Sequence, residues 1–183
     1  MKLFHTSDRV IREPDIYAGR KNADFGQGFY LSEDEDFAGS WARERTASGI
    51  YVNVYELDTS GMKFKTLGRD AEWFRYIYSN RRGGEDMLRD YDVISGPVAV
   101  DTLFETYGII TSGLLTEEQS LTLLSIGRTY SQTVIKTPEG LSGLKWVDAY
   151  TLDEDMIRSA RAKYDSDLER FENRFAELLD SFQ

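Results

Sequence analysis

The 183-residue chain contains no cysteine, so neither a disulfide nor a thiol nucleophile is available to it. It has a single histidine, His5, which excludes a multi-histidine metal centre and gives any Ser-His-Asp arrangement only that one ring. Long apolar runs are missing too. No stretch reaches the length of a transmembrane helix, and the opening MKLFHTSDRV is too poor in apolar residues for a secretory signal. A soluble, cytoplasmic protein with no membrane contact is the expectation. Cations are in the minority, 22 Lys and Arg against 32 Asp and Glu, for a formal net charge of −10. That balance disfavours loose electrostatic binding to nucleic acid or to an anionic membrane. A three-glycine dinucleotide fingerprint and a P-loop are both absent.

What is present is a chain with 40% hydrophobic and 30% charged residues, enough for one domain with a real core and an appendage. Aromatics make up 13%, which favours an aromatic-lined surface or cleft. The organising stretch is residues 24–41, DFGQGFYLSEDEDFAGSW. Gly26 and Gly28 precede Phe29 and Tyr30, which should lie on a buried strand. Ser32 and Glu35 have the spacing of a capping box, with acids at the positive end of the helix dipole. Phe37, Ala38, Trp41 and Ala42 then recur at helical spacing. Flexible backbone beside large aromatics is a way to build a slot for a flat ring. It is also how an ordinary strand bend reads.

Along the rest of the chain, residues 2–6 form a first strand with Leu3 and His5 on one face. His5 is either a ligand-binding ring or a structural histidine satisfied by a backbone carbonyl. Residues 8–23 read as a loop, with Pro14 and Gly19. Arg20 and Lys21 enter the glycine turn, where they can meet a phosphate or simply be solvated. Residues 50–58 and 93–98 are strands by alternation and β-branching, and 62–66 is a shorter one. A helix over 71–79 carries Trp73, Phe74, Ile77 and Tyr78 on one face, and Arg81-Arg82-Gly83-Gly84 ends it, the arginines reading as cations at its C-terminus more than as substrate contacts. Asp101 caps a helix through Tyr107. Thr116 and Gln119 form another capping box before Leu121, Leu123 and Leu124. Strands over 129–137 and 144–152 follow.

At residue 153 the composition changes. Tyr164, Leu168, Phe171, Phe175, Leu178 and Phe182 are spaced by four and three on one long amphipathic helix. The expected organisation is a domain over 1–152 and a helix over 153–183. That helix either docks on its own domain or serves a second copy or a partner.

The blocks HTS (5–7), GR (19–20), DFGQGFY (24–30), GSWA (39–42), YDVISGPVAVD (91–101) and SQTVIKTPEGLSGLKW (131–146) resemble a group of small bacterial domains of the ADP-ribosyltransferase superfamily, long labelled only as domains of unknown function. The resemblance spans roughly residues 1–150. It implies an α+β fold with a split, mostly antiparallel two-sheet core, flanking helices and NAD as substrate. By analogy with the poly-ADP-ribose polymerase and diphtheria toxin branch, it implies that His5 bonds a ribose while Tyr30 and Trp41 sandwich the nicotinamide. The Thr6 backbone would meet the carboxamide and Arg20 the pyrophosphate, with Gly28 letting the turn approach the ligand. Where the superfamily has a catalytic glutamate this chain has Gln132. A glutamine can hold a ribose hydroxyl but supplies neither a base nor a full negative charge.

The activity this implies is ADP-ribosyl transfer to a macromolecular acceptor, or NAD hydrolysis, with no metal. Small intracellular versions of the fold often act as toxins of toxin–antitoxin or phage-defence modules. The competing class is a catalytically weak or inactive binding module working through its C-terminal helix. A nucleic-acid binder without NAD chemistry is a third reading, disfavoured by the net charge. Protein, DNA, RNA and water all remain open as acceptors.

Overall fold

The computed structural model describes residues 1–41, 49–99 and 130–182, with scattered positions between 115 and 126. Within these the chain is mixed α/β, with two sheets and four helices. One sheet has three antiparallel strands in the order β1 (Lys2–Ser7), β3 (Ile50–Leu57), β7 (Leu144–Leu152). Its central strand, IYVNVYEL, is buried along most of its length, as its β-branched and aromatic content predicts. The second sheet runs β2 (Phe29–Leu31), β6 (Ser131–Ile135), β5 (Val93–Pro97), β4 (Phe64–Thr66), antiparallel except for the β4–β5 pair. The two sheets are stitched by one bridge, where Phe4 and Ser32 exchange both backbone hydrogen bonds at 2.8 and 2.9 Å.

Alternation along the strands sorts side chains into three apolar layers. Leu3, Tyr55 and Leu57 meet Phe29, Leu31, Val93 and Ile135 between the sheets. Phe4, Val52 and Val54 turn the other way, onto Ala38 of α1 (Glu35–Ser40). On the far side of the second sheet, Ile94 and Val134 pack with Phe25, Leu67 and residues of α2 (Ala71–Arg81). The buried residues of α2 are Trp73, Tyr76, Ile77 and Asn80, an i, i+3, i+4, i+7 stripe. This stripe is rotated from the expected face. Phe74 and Tyr78 stay partly exposed and stack on each other, while the more polar Tyr76 and Asn80 turn inward because they have buried partners.

The expected Ser32 cap is also displaced. Ser32 is still extended, bridged to Phe4, and its hydroxyl accepts from Asp34 N and donates to Ser131 O, so the helix cannot begin there. Asp34 takes the cap, accepting from Phe37 N at 3.0 Å, and Trp41 closes the helix after a turn and a half. The Thr116–Gln119 box forms reciprocally, each side chain accepting from the other's backbone N–H. The predicted Asp101–Tyr107 helix lies outside the described residues, as do Ala42, Leu121 and Leu124.

A short α3 (Pro138–Ser142) precedes β7, and α4 (Glu154–Ser181), capped by Asp153, ends the chain. The heptad-like seam of α4 faces its own domain. Phe171 is buried in the outer layer beside Phe175, Lys163 pairs with Asp36 of α1, and Tyr130 donates to Asp167 at 2.8 Å. No helix among the described residues is long and apolar enough to cross a membrane.

Candidate functional site

His5 lies on β1, the edge strand nearest the second sheet, where its ring packs on Phe29 at 4.5 Å between centroids. Its Nδ1 lies 2.7 Å from the Tyr30 carbonyl oxygen. A carbonyl only accepts, so Nδ1 carries the proton and Nε2 presents its lone pair. Burial pushes the imidazole pKa below its ordinary value, opposed by the bond to Tyr30, so the ring is neutral at pH 7. The result is a one-sided acceptor suited to a hydroxyl proton.

Thr6 follows on the same edge. Phe4 directs its N–H and C=O at Ser32, and strand alternation gives Thr6 the same direction, away from β3. A planar carboxamide is the kind of group such a donor and acceptor pair can hold. The Thr6 hydroxyl donates to Ala38 O and so ties β1 to α1.

Tyr30 is locked from its hydroxyl end. It donates to Gly26 O at 2.6 Å and accepts from Phe25 N at 2.9 Å. Burial drives its pKa well above the normal tyrosine value, with the bond from Phe25 opposing, so it stays a phenol. Its ring is therefore held by the chain five residues upstream, at a turn where Gly26 has φ of +75°. Gly28 is required for packing. A Cβ there would lie 2.6 Å from Ile135 O and from Val134 Cγ1, too close for any side chain. The Gly19 backbone rests on Gly28 in the same way, and Gln27 Nε2 donates to Tyr17 O and Gly19 O. These contacts bring the Gly-Arg loop onto the turn, with Arg20 exposed.

Trp41 belongs to an aromatic group with Phe37 and Tyr130. It meets Phe37 edge-on at 5.0 Å, and Phe37 stacks on Tyr130 at 4.1 Å. Through Tyr130 and Asp167 this group is joined to α4.

Gln132 shares a strand face with Val134, whose register partner is Tyr30. It is only 3% exposed, and its Nε2 donates to Asp24 Oδ2 at 3.1 Å. Asp24 is the hub of a buried polar network that the sequence reading missed. Arg81, expected to be a helix-end cation, instead reaches back and binds Asp24 Oδ1 through its guanidinium. Ala99 N donates to Oδ2 at 3.2 Å, and Asn80 Nδ2 donates to Asp24 O at 3.0 Å. One residue on, the Phe25 carbonyl accepts from Lys136 Nζ, which also binds Asp86, and the Tyr76 hydroxyl lies 3.0 Å from Phe25 O and 2.8 Å from Asp86 Oδ1 with one proton to give to either. Two ion pairs, Asp24–Arg81 and Asp86–Lys136, thus hold the start of the glycine turn. Signals were present in the sequence: a carboxylate directly before Phe-Gly, and a lysine directly after the apolar run of β6.

No metal-ligating cluster occurs among the described residues. The chain belongs to the family described as "Protein of unknown function (DUF3990)", whose model matches residues 1–146. That match ends before α4. No curated protein matches the chain.

Proposed function

We propose that the chain is an ADP-ribosyltransferase-like protein that takes NAD as substrate along the β1 edge and transfers ADP-ribose to a macromolecular acceptor. The observation that carries this is the His5–Tyr30 junction: a neutral imidazole with Nε2 as acceptor, next to an outward-facing strand edge at Thr6 and a tyrosine ring fixed by its own turn. His5 accepts a ribose hydroxyl, Thr6 pairs with the carboxamide, and Tyr30 gives one face to the nicotinamide ring. Trp41, grouped with Phe37, would meet the ring only from the α1 side. Gln132 accepts a hydroxyl of the second ribose through Oε1, and Arg20, which is exposed, would meet the pyrophosphate.

The reaction breaks the bond between ribose C1′ and the nicotinamide nitrogen. Nicotinamide leaves with the bonding electrons, and the acceptor's nucleophilic atom bonds C1′ and loses its proton to solvent. The chain's contribution is orientation and exclusion of water, because Gln132 brings no negative charge to the reacting centre. Water as acceptor would make the same site an NAD glycohydrolase.

A catalytically inactive binding module is the second reading. It is favoured by the burial of Gln132 against Asp24, while the docking of α4 on the outer layer covers part of the seam through which such a module would act.

The test is the full chain with NAD, following heat of binding and free nicotinamide together. Binding with release is expected. His5→Ala should weaken binding about tenfold, the loss of roughly one hydrogen bond. Folded protein that neither binds NAD nor releases nicotinamide would refute the reading.

A further inference from the structure

Asp24 explains why position 132 carries an amide. A carboxylate ion-paired with Arg81 can only accept hydrogen bonds, so the atom of residue 132 that faces it must be a donor. This fixes the amide's orientation without appeal to the density of atoms: Nε2 toward Asp24, Oε1 away. Among the described residues Oε1 takes no hydrogen bond, whereas both Asp24 oxygens are engaged, Oδ1 by Arg81 and Oδ2 by Gln132 and Ala99 N. Among the described residues the carboxylate of Asp24 thus faces one cation, Arg81, and one neutral donor side chain, Gln132. A glutamate at 132 would add a second anion within hydrogen-bonding distance of the first, where only one can stay ionised comfortably.

We propose that Asp24 is the positioning residue of the candidate site. It dictates glutamine at 132 and turns the amide oxygen outward as the acceptor for a ribose hydroxyl. The hydroxyl rests on the reading of the site as an NAD site; the coupling of Asp24 to residue 132 does not. On this view Gln132 is an adaptation to a second carboxylate already occupying the strand's neighbourhood, and restoring a glutamate there is harmful.

Three full-length variants test this: Gln132→Glu, Asp24→Asn and the double variant. Relative to wild type, Gln132→Glu adds one negative charge beside Asp24, Asp24→Asn removes one, and the double variant restores the wild-type total. Unfolding is followed between pH 5 and 8, relative to wild type.

In Gln132→Glu the new carboxyl has a folded pKa raised above its unfolded value of about 4.3. Its relative stability is therefore full below about pH 4.3 and is lost as pH rises through the folded pKa. The folded-to-unfolded ratio should fall up to about tenfold per pH unit in that window. The double variant should lose this pH dependence and regain at least about tenfold in the ratio over Gln132→Glu at pH 8. Should Asp24→Asn fail to fold, the comparison of Gln132→Glu with Gln132→Leu across the same pH range decides alone, because leucine removes the bond without adding charge. A pH-independent Gln132→Glu, or a double variant no better than the sum of its singles, overturns the proposal. Nicotinamide release, measured in parallel on wild type, judges the NAD reading separately. A chain that shows the coupling and ignores NAD sinks that reading and keeps Asp24 as the residue that sets 132.

Discussion

The Asp86–Lys136 pair offers the sharpest energetic prediction. The Lys136 side chain is 3% exposed, and its ammonium has three partners: Asp86 Oδ2, Phe25 O and Tyr76 OH. Burial lowers its pKa from the ordinary lysine value, while the Asp86 hydrogen bond and charge oppose that. Asp86→Asn keeps the shape and removes the charge. Breaking a buried pair costs about 3–5 kcal/mol, and the lower end applies because Asp86 is 24% exposed and Lys136 keeps two neutral acceptors. A loss of about 3 kcal/mol at pH 7 is therefore expected, some 6–12 °C in midpoint for a chain of this length. The pH dependence has a definite sign. With its folded pKa below the unfolded value, Lys136 binds fewer protons when folded, so stability rises with pH toward the unfolded pKa. Removing Asp86 widens that window downward, so the deficit of Asp86→Asn should shrink as pH climbs from 7 to 9. Adding Lys136→Met should recover at least half of the loss, because no buried charge then remains. Urea unfolding at pH 7, 8 and 9 decides it. A variant within about 0.5 kcal/mol of wild type, or a deficit constant with pH, would refute the assignment.

Two further predictions need little apparatus. The single histidine gives one imidazole in an NMR titration, expected as the Nδ1–H tautomer with a pKa below about 6.5. Acid should then cost stability as pH falls below that value, since the unfolded ring protonates first, and an Nε2–H tautomer would contradict the orientation given to His5. Phe171→Ala should cost about 3 kcal/mol as a buried truncation, while Arg174→Ala on the outer face of α4 should stay within about 0.5; equal effects would mean that α4 is not docked through its apolar seam.

How much of this was legible beforehand follows from the range of each interaction. β3 could be read from its alternation and α4 from its heptad-like spacing, because both patterns live within one element. The Thr116–Gln119 box was legible for the same reason. Ser32 had the right spacing for a cap, yet the backbone bridge to Phe4 held it extended, and no local pattern reports that pairing. Arg81 failed similarly. Its position at a helix end made the dipole a sufficient explanation, while its partner Asp24 is 57 residues away. The rotated stripe of α2 is the consequence: Tyr76 and Asn80 turn inward to reach the backbone of Phe25 and Asp24. For the candidate site the split is the same. His5 and Tyr30 could be named from motif blocks, but the bond between them, the tautomer it imposes and the network under the turn arise only when the sheets close.

That network bears on the apparent weakness of the site. Judged alone, Gln132 is an uncharged amide where the resemblance to ADP-ribosyltransferases implies a glutamate. Judged with its neighbour, the amide at 132 faces a buried carboxylate on the turn at residue 24, itself paired with Arg81. A negative charge so paired contributes little field to its surroundings. On the proposed reading, such a site would hold hydroxyl and carboxamide groups in fixed positions more than stabilise a cation. Transfer should then depend on the acceptor's own nucleophilicity. A strongly nucleophilic acceptor should accelerate nicotinamide release well beyond the rate with water alone, and equal rates with and without added nucleophile would argue that the chain supplies the missing charge from elsewhere.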